Sequence, residues 1–292
     1  MIRAIAQNLT KYFKNMHLKL GFSTCPNDTF IFEALVKNRI ENNGLAFDLH
    51  LADVEELNKL AISELLDVTK ISIAAYPRIA DKYIILDSGS ALGNNNGPLL
   101  ISKKKINIDQ LKDLIIAIPG INTTANLLLS IAFPEVTNKE EFIFNQIEDA
   151  ILNDKVDAGL IIHESRFTYE KKGLQKITDL GEYWESQFKQ LVPLGCIVIR
   201  RSLPKEIIAN VNQMIRESVK FAFNKPEISK EFIKENAQEL EDDVIQKHID
   251  LYVNRFSIEL GIEGRNAIKF LFQKGNEMGL LPAIKNNIFI NL

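Results

Sequence analysis

Apolar and polar positions alternate from Leu18 to Ser23 (LKLGFS), the period-two pattern of a strand. The alternation stops at Thr24-Cys25-Pro26-Asn27-Asp28 and gives way to TFIFEALVKN, where Phe30, Ala34 and Leu35 return at helical spacing. The same grammar follows in AFDLHLA (46–52), closed by Asp53 as a helix N-cap with Glu55 and Glu56 in the first turn, before a helix through Leu57, Leu60, Ala61 and Leu65. Three more units read alike: IIAIPG (115–120) with TTANLLLSI, EFIFN (141–145) with QIEDAILNDK, and DAGLIIH (157–163) with the short segment SRFTYEKK. Strand alternating with helix predicts an α/β fold in which each unit crosses over onto a parallel sheet.

Two extended runs stand apart from this rhythm, Gly97 to Lys104 (GPLLISKK) and Pro193 to Ser202 (PLGCIVIRRS). Both are led by Gly or Pro and end in basic residues, and after the second the pattern is helical to about Gly279. Such connectors bracket an inserted domain. The expected arrangement is two lobes joined by two crossover strands: residues 18–102 with the C-terminal helices of 196–292 form one lobe, and residues 103–195 the other, hinged at the connectors. A single doubly wound sheet is the alternative. Folded patterning starts at Leu18, so residues 1–17 read as an N-terminal extension.

Composition narrows the function. In 292 residues, Lys plus Arg is 35 against 38 for Asp plus Glu, a net charge of −3, so no basic field exists to hold nucleic acid. No stretch approaches the ~20 apolar residues of a membrane helix. The two cysteines, Cys25 and Cys196, lie outside any disulfide or zinc spacing, and the N-terminus lacks the apolar run of a secretory signal. A cytoplasmic protein acting on a small molecule is expected, with oligomeric state left open.

In open α/β sheets, ligands bind beyond the carboxyl ends of strands, where helix N-termini offer unpaired N–H groups. Polar residues gather at those ends: Ser23 to Asp28, including Ser23 and Asn27; Thr69-Lys70-Ile71-Ser72; Pro119 to Ala125, including Thr123, Thr124 and Ala125; and His163-Glu164-Ser165. Any one of these sets caps a helix; their joint placement points to a cleft. His163 ends a continuous apolar run, as a strand delivering a general base or acid would. His17, His50 and His248 read as non-catalytic. Cys25 reads as a small packed or ligand-facing side chain rather than a nucleophile, and ALGNNNGP (91–98) as a turn bordering the cleft. Without HExxH, a His/Cys cluster, GxGxxG or GxxxxGK[ST], no metal or nucleotide cofactor is expected.

The strings GFSTCPNDTFIF (21–32), DVEELN (53–58), TKIS (69–72), SALGNNNGPL (90–99), PGINTTA (119–125), GLIIHESRFTY (159–169) and DLGEYWE (179–185) resemble the 1,4-dihydroxy-6-naphthoate synthases of the futalosine route to menaquinone. That resemblance implies the two-lobed fold of type 2 periplasmic binding proteins and a cofactor-free lyase acting on cyclic dehypoxanthine futalosine. It further implies His163 as proton acceptor and Lys70, Ile71, Ser72, Thr124 and Ala125 as substrate-binding. One departure is Asn95, where the family often has glycine. The competing expectations are a sibling chorismate dehydratase, which is not associated with the LIIHE string, and a solute-binding protein, which should carry an export signal. A regulator's sensing domain would need a helix-turn-helix, for which the leading residues are too few.

Overall fold

A computed structural model describes residues 16–237 and 241–291. Eleven strands run β1 (Met16–Phe22), β2 (Leu45–Leu51), β3 (Val68–Ser72), β4 (Tyr83–Ile85), β5 (Ala91–Gly93), β6 (Leu99–Ser102), β7 (Ile116–Ile118), β8 (Lys139–Glu141), β9 (Ala158–Ile161), β10 (Gln175–Asp179) and β11 (Val192–Arg200) among the described residues. They form two sheets. The first has the order β2-β1-β3-β11-β4, with β5 also paired to β11; the second has the order β10-β6-β9-β7-β8. Within each, the strand-helix units pair in parallel, as the crossover pattern predicts (β1 with β2 and β3, β7 with β8 and β9). The two Gly/Pro-led runs are instead antiparallel strands, β6 against β9 and β10, and β11 against β3, β4 and β5.

The helices are α1 (Pro26–Val36), α2 (Val54–Ile62), α3 (Thr124–Ala132), α4 (Ile147–Leu152), α5 (Leu180–Phe188), α6 (Lys205–Asn224), α7 (Pro226–Asn236), α8 (Asp242–Tyr252), α9 (Arg255–Ile258) and α10 (Gly261–Glu277). Asp53 caps α2 as expected, accepting from the N–H groups of Glu55 and Glu56, and Thr123 caps α3 by accepting from Asn126. The C-terminal helices complete the core. On α6, Ile207, Val211, Ile215 and Val219 recur every four residues and pack with Leu18, Leu20 and Phe22 of β1 and Phe30 to Phe32 of α1. A separate apolar layer under the second sheet joins Leu99, Ile101, Ile147, Ile151 and Ile161. Among the described residues no helix is long and apolar enough to cross a membrane.

Several expectations are corrected. Thr69, Lys70, Ile71 and Ser72 do not follow a strand; they are its last four residues, buried and paired along β11. Residues 99–102, grouped by sequence with the first lobe, form β6 in the second sheet, because their apolar run pairs along β9. The strand read in EFIFN ends at Glu141: β7 offers partners only from Ile116 to Ile118, and beyond that limit Phe144 turns inward in a 3-10 turn. Of the expected N-terminal extension, Met16 and His17 belong to β1 while residues 1–15 lie outside the described residues.

Candidate functional site

A cleft of about 660 Å³, part of it open to solvent, lies between the two sheets. Nine of the residues singled out from sequence line it: Ser23 and Asn27 from the β1–α1 turn, Lys70, Ile71 and Ser72 from β3, Thr123, Thr124 and Ala125 from the start of α3, and His163 just past β9; Cys25, Thr69, Glu164 and Ser165 do not. Asp28, Asn96, Leu194, Gly195 and Tyr252 complete the wall. Some of these were illegible in the sequence.

On the first-sheet side a buried charge pair organises the chemistry. Asp28 meets Lys70 with 3.0 Å between Oδ1 and Nζ, and both side chains are almost wholly buried. The carboxylate is further satisfied by Ser23, whose hydroxyl donates to Oδ2 at 2.7 Å and whose backbone N–H donates at 3.2 Å, and by Asn27 Nδ2, which donates to Oδ1 at 2.9 Å. Lys70 also donates to the Gly89 carbonyl at 2.9 Å, which engages two of its three N–H groups. Beside it, Ser72 is held by Asn58, which accepts from its backbone N–H at 2.9 Å and donates to its hydroxyl at 3.2 Å.

The second-sheet side supplies a helix start. Thr124 and Ala125 carry backbone N–H groups of the kind the first turn of a helix leaves without an intrahelical acceptor. The Thr124 hydroxyl is engaged within the protein: it donates to the Leu194 carbonyl at 2.7 Å and accepts from the Ala74 N–H at 3.2 Å, tying α3 to β11 and to the turn after β3. A second tie lies outside the cavity. Glu55 accepts from the Asn122 side chain at 2.7 Å and backbone at 3.2 Å, and from Asn58 at 3.1 Å. Gly120 runs so close to it, with φ +148, that a β-carbon there would stand 2.3 Å from Glu55 Cγ. Burial raises the Glu55 pKa, partly opposed by these hydrogen bonds.

His163 is the most unusual residue of the site. Its φ is +58, a left-handed conformation uncommon for a non-glycine residue. Its ring packs edge-on to Phe144 with centroids 4.9 Å apart, and its buried Nε2 has no hydrogen-bond partner. Burial pushes its pKa down to about 4, with Lys70 acting in the same sense and Asp28 and Asp53 against it. At neutral pH the imidazole is therefore uncharged and able to accept a proton.

Asn96 and His248 are the residues the sequence reading missed. Asn96, in the loop read as a turn, is fully buried on the cavity wall with neither amide atom hydrogen-bonded. The loop can bring it there because Gly97 packs against Gly181, where a β-carbon would lie 2.2 Å from the Gly181 nitrogen. Asn95 before it has φ +56, the conformation that favours glycine and that Asn tolerates better than most residues, so its departure from the family pattern leaves the loop geometry intact. His17 and His50 lie on the surface beside Asp48 and Glu56, but His248, also read as remote from chemistry, is fully buried with its ring centroid 6.0 Å from that of His163. The signal was present: in DVIQKHIDLYV, His248 shares a helix face with Val244, Ile245, Ile249 and Tyr252, all buried.

The expectation of no His/Cys cluster is also corrected. Cys25, His163 and Glu164 bring a sulfur, a nitrogen and an oxygen within 4.8 Å of one another. A cation would need the Cys25 thiolate, whereas burial, reinforced by Glu164, raises that thiol's pKa well above its ordinary value. The same effect argues against Cys25 as a nucleophile.

Residues 18–277 match a family described as menaquinone biosynthesis. Proteins named 1,4-dihydroxy-6-naphthoate synthase are 41% identical in Thermus thermophilus, over 94% of this chain and 99% of the relative, and 38% identical in Streptomyces coelicolor, over 91% and 95%. Among solved structures, protein AF1704 from Archaeoglobus fulgidus superposes with a TM-score of 0.85 at 32% identity, covering 91% of this chain and 98% of that one. The periplasmic aliphatic sulphonate binding protein SsuA from Escherichia coli superposes with a TM-score of 0.64 at 14% identity over 96% and 94%, a likeness of fold alone. The two-lobed periplasmic-binding-protein fold is thus the architecture of this chain.

Proposed function

The chain belongs to the menaquinone-biosynthesis family whose members include 1,4-dihydroxy-6-naphthoate synthase, and on that premise we propose that it is a lyase converting cyclic dehypoxanthine futalosine into 1,4-dihydroxy-6-naphthoate and a sugar-derived fragment. The observation that carries the reading is His163, an uncharged imidazole in a left-handed backbone conformation, with a buried, unpartnered Nε2 at the cavity. In this reading His163 takes a proton from the bound substrate as the carbon-carbon bond breaks.

The remaining groups bind and orient. A substrate carboxylate fits the N–H groups of Thr124 and Ala125 at the start of α3, where the helix dipole favours negative charge. Ser72, fixed by Asn58, and the remaining N–H of Lys70 serve the oxygen functions of the sugar, and Asn96 offers both a donor and an acceptor. Ile71 and Leu194 supply apolar wall for the ring system. Ser23, Asn27 and Thr123 act at one remove, by fixing Asp28 and the α3 cap. The reaction so written requires no redox cofactor or metal.

The test is product analysis with the purified protein, cyclic dehypoxanthine futalosine and a chelator. Naphthoate should form catalytically, and His163→Ala should retain the fold while losing ~10²–10⁴-fold in rate. Stoichiometric binding without product would overturn the lyase reading in favour of a solute-binding role, and dependence on an added metal would redirect attention to Cys25, His163 and Glu164.

A further inference from the structure

His248 comes from α8, the helix that also supplies Tyr252 to the cavity wall, and is fully buried. Its neighbours come from both lobes, and among the described residues its one hydrogen bond is to Asn27. Nε2 is 2.9 Å from Asn27 Oδ1 in the first lobe, and Nδ1 is 3.5 Å from Glu164 Oε2, in the turn that begins at His163. The Asn27 amide has a defined orientation: its Nδ2 donates to Asp28, an ion-paired carboxylate that can only accept, so Oδ1 faces the histidine and His248 Nε2 carries the proton. The ring also lies nearly parallel to that of His163, with an interplanar angle of 11° and centroids 6.0 Å apart, while Phe144 meets the His163 ring edge-on at 4.9 Å.

A left-handed, non-glycine residue with an unpartnered ring nitrogen does not hold its own orientation; its neighbours must impose it. Only two of them present rings to His163 among the described residues, Phe144 and His248, and only His248 is in turn hydrogen-bonded to a fixed group. We propose that His248 is a positioning residue, which anchors to Asn27, and through Asn27 to Asp28, by its Nε2–H and holds the His163 imidazole in the attitude needed for proton transfer. It touches no substrate and moves no proton; it acts through His163. This inference rests on the reading of His163 as the base.

The experiment is a double-mutant cycle on kcat and KM with cyclic dehypoxanthine futalosine, folding being monitored by the fluorescence of buried Trp184. His248→Ala should lower kcat by about 10²-fold, the scale set by an ångström of misplacement in a catalytic group, with KM within about threefold of wild type. In a His163→Ala background the same substitution should produce no further loss, because the group it positions is gone. A kcat within about twofold of wild type, or an equal factor lost in the His163→Ala background, would overturn the proposal. If His248→Ala does not fold, His248→Gln, which keeps an N–H toward Asn27, replaces it in the same cycle: a kcat above that of His163→Ala, with no added loss on combination, supports positioning, and additive loss overturns it. His163→Ala alone tests the base assignment, so its retention of wild-type turnover would be a failure of that reading, distinct from an indifferent His248.

Discussion

Replacing Lys70 by Met separates what this lysine does for the fold from what it does for a ligand. Lys70 and Asp28 are 4% and 2% exposed and meet at 3.0 Å. Their gross attraction at an effective dielectric of ~20 is about 5 kcal/mol, but the pair was desolvated to form, so its net worth is far smaller than that. Deleting one partner is a different quantity: it strands a buried carboxylate, which typically costs ~3–5 kcal/mol. Asp28 keeps three donors, the Ser23 N–H, the Ser23 hydroxyl and Asn27 Nδ2, which places K70M near the lower end, at about 3 kcal/mol. For a chain of this size that is a fall in Tm of roughly 5 °C. Thermal and urea unfolding followed by Trp184, the only tryptophan and one whose Nε1–H is bonded to the Leu191 carbonyl, reads the change directly. Adding D28N to K70M removes the stranded charge and should restore most of the loss. A K70M protein within about 1 kcal/mol of wild type, or a double variant no more stable than K70M, would refute the argument that a buried charge pair underlies this wall of the site.

Other outcomes follow from the same geometry. Asn96→Ala removes an amide with no protein partner, so stability should hold or rise while KM increases by ~0.5–1.5 kcal/mol of lost binding; a destabilised variant with unchanged KM would show that Asn96 is structural. Because burial lowers the His163 pKa to about 4 from its ordinary 6.5, the acid limb of kcat/KM in the free enzyme should lie near pH 4, and a limb near 6.5 would contradict it. Stability carries the same sign: the neutral imidazole's contribution is fully present above pH 6.5 and is lost as pH falls toward about 4, since the unfolded chain binds the proton first, so His163→Ala should flatten part of the melting-temperature slope over that window. Glu55→Ala removes the acceptor that Asn122 reaches across the two lobes and should raise both KM and the radius of gyration in solution scattering; unchanged values of both would refute its role as a tie.

The parts of the fold legible in the sequence are those set by local pattern. Asp53 and Thr123 were recognisable as caps because a cap needs only its own side chain and the next two or three N–H groups. The strand boundaries were less so: EFIFN has strand periodicity throughout, yet a strand extends only as far as its partner, and β7 is three residues long. The cavity residues at strand ends could be found because chain topology alone brings those ends together. Asn96 and His248 could not be, nor could the part played by Asp28 within its strand-end set, since these depend on partners distant in sequence: Lys70 for Asp28, the Gly97–Gly181 contact for Asn96, and Asn27, some two hundred positions earlier, for His248. The helical face of His248 reported burial, and burial does not name its neighbour.

A cleft of this architecture also serves proteins that only hold a ligand, so the fold does not itself argue for chemistry. What argues for it is an arrangement that binding alone does not require. A binder is improved by satisfying each buried polar group and relaxing each strained residue, because both raise the stability of the closed state. At His163 the protein does neither: it keeps a positive φ, an imidazole whose Nε2 finds no partner, and a pKa far below the ordinary value. The first two of these features lower stability and the third does so only below pH 6.5, and each is useful to a base that must be uncharged, aimed and dry before the substrate arrives. The combination therefore predicts a trade: His163 variants that restore an ordinary backbone, such as His163→Gly, should melt at the wild-type temperature or above while turnover is lost. A variant that lost stability and kept turnover would remove the strain from the mechanism and return it to the packing.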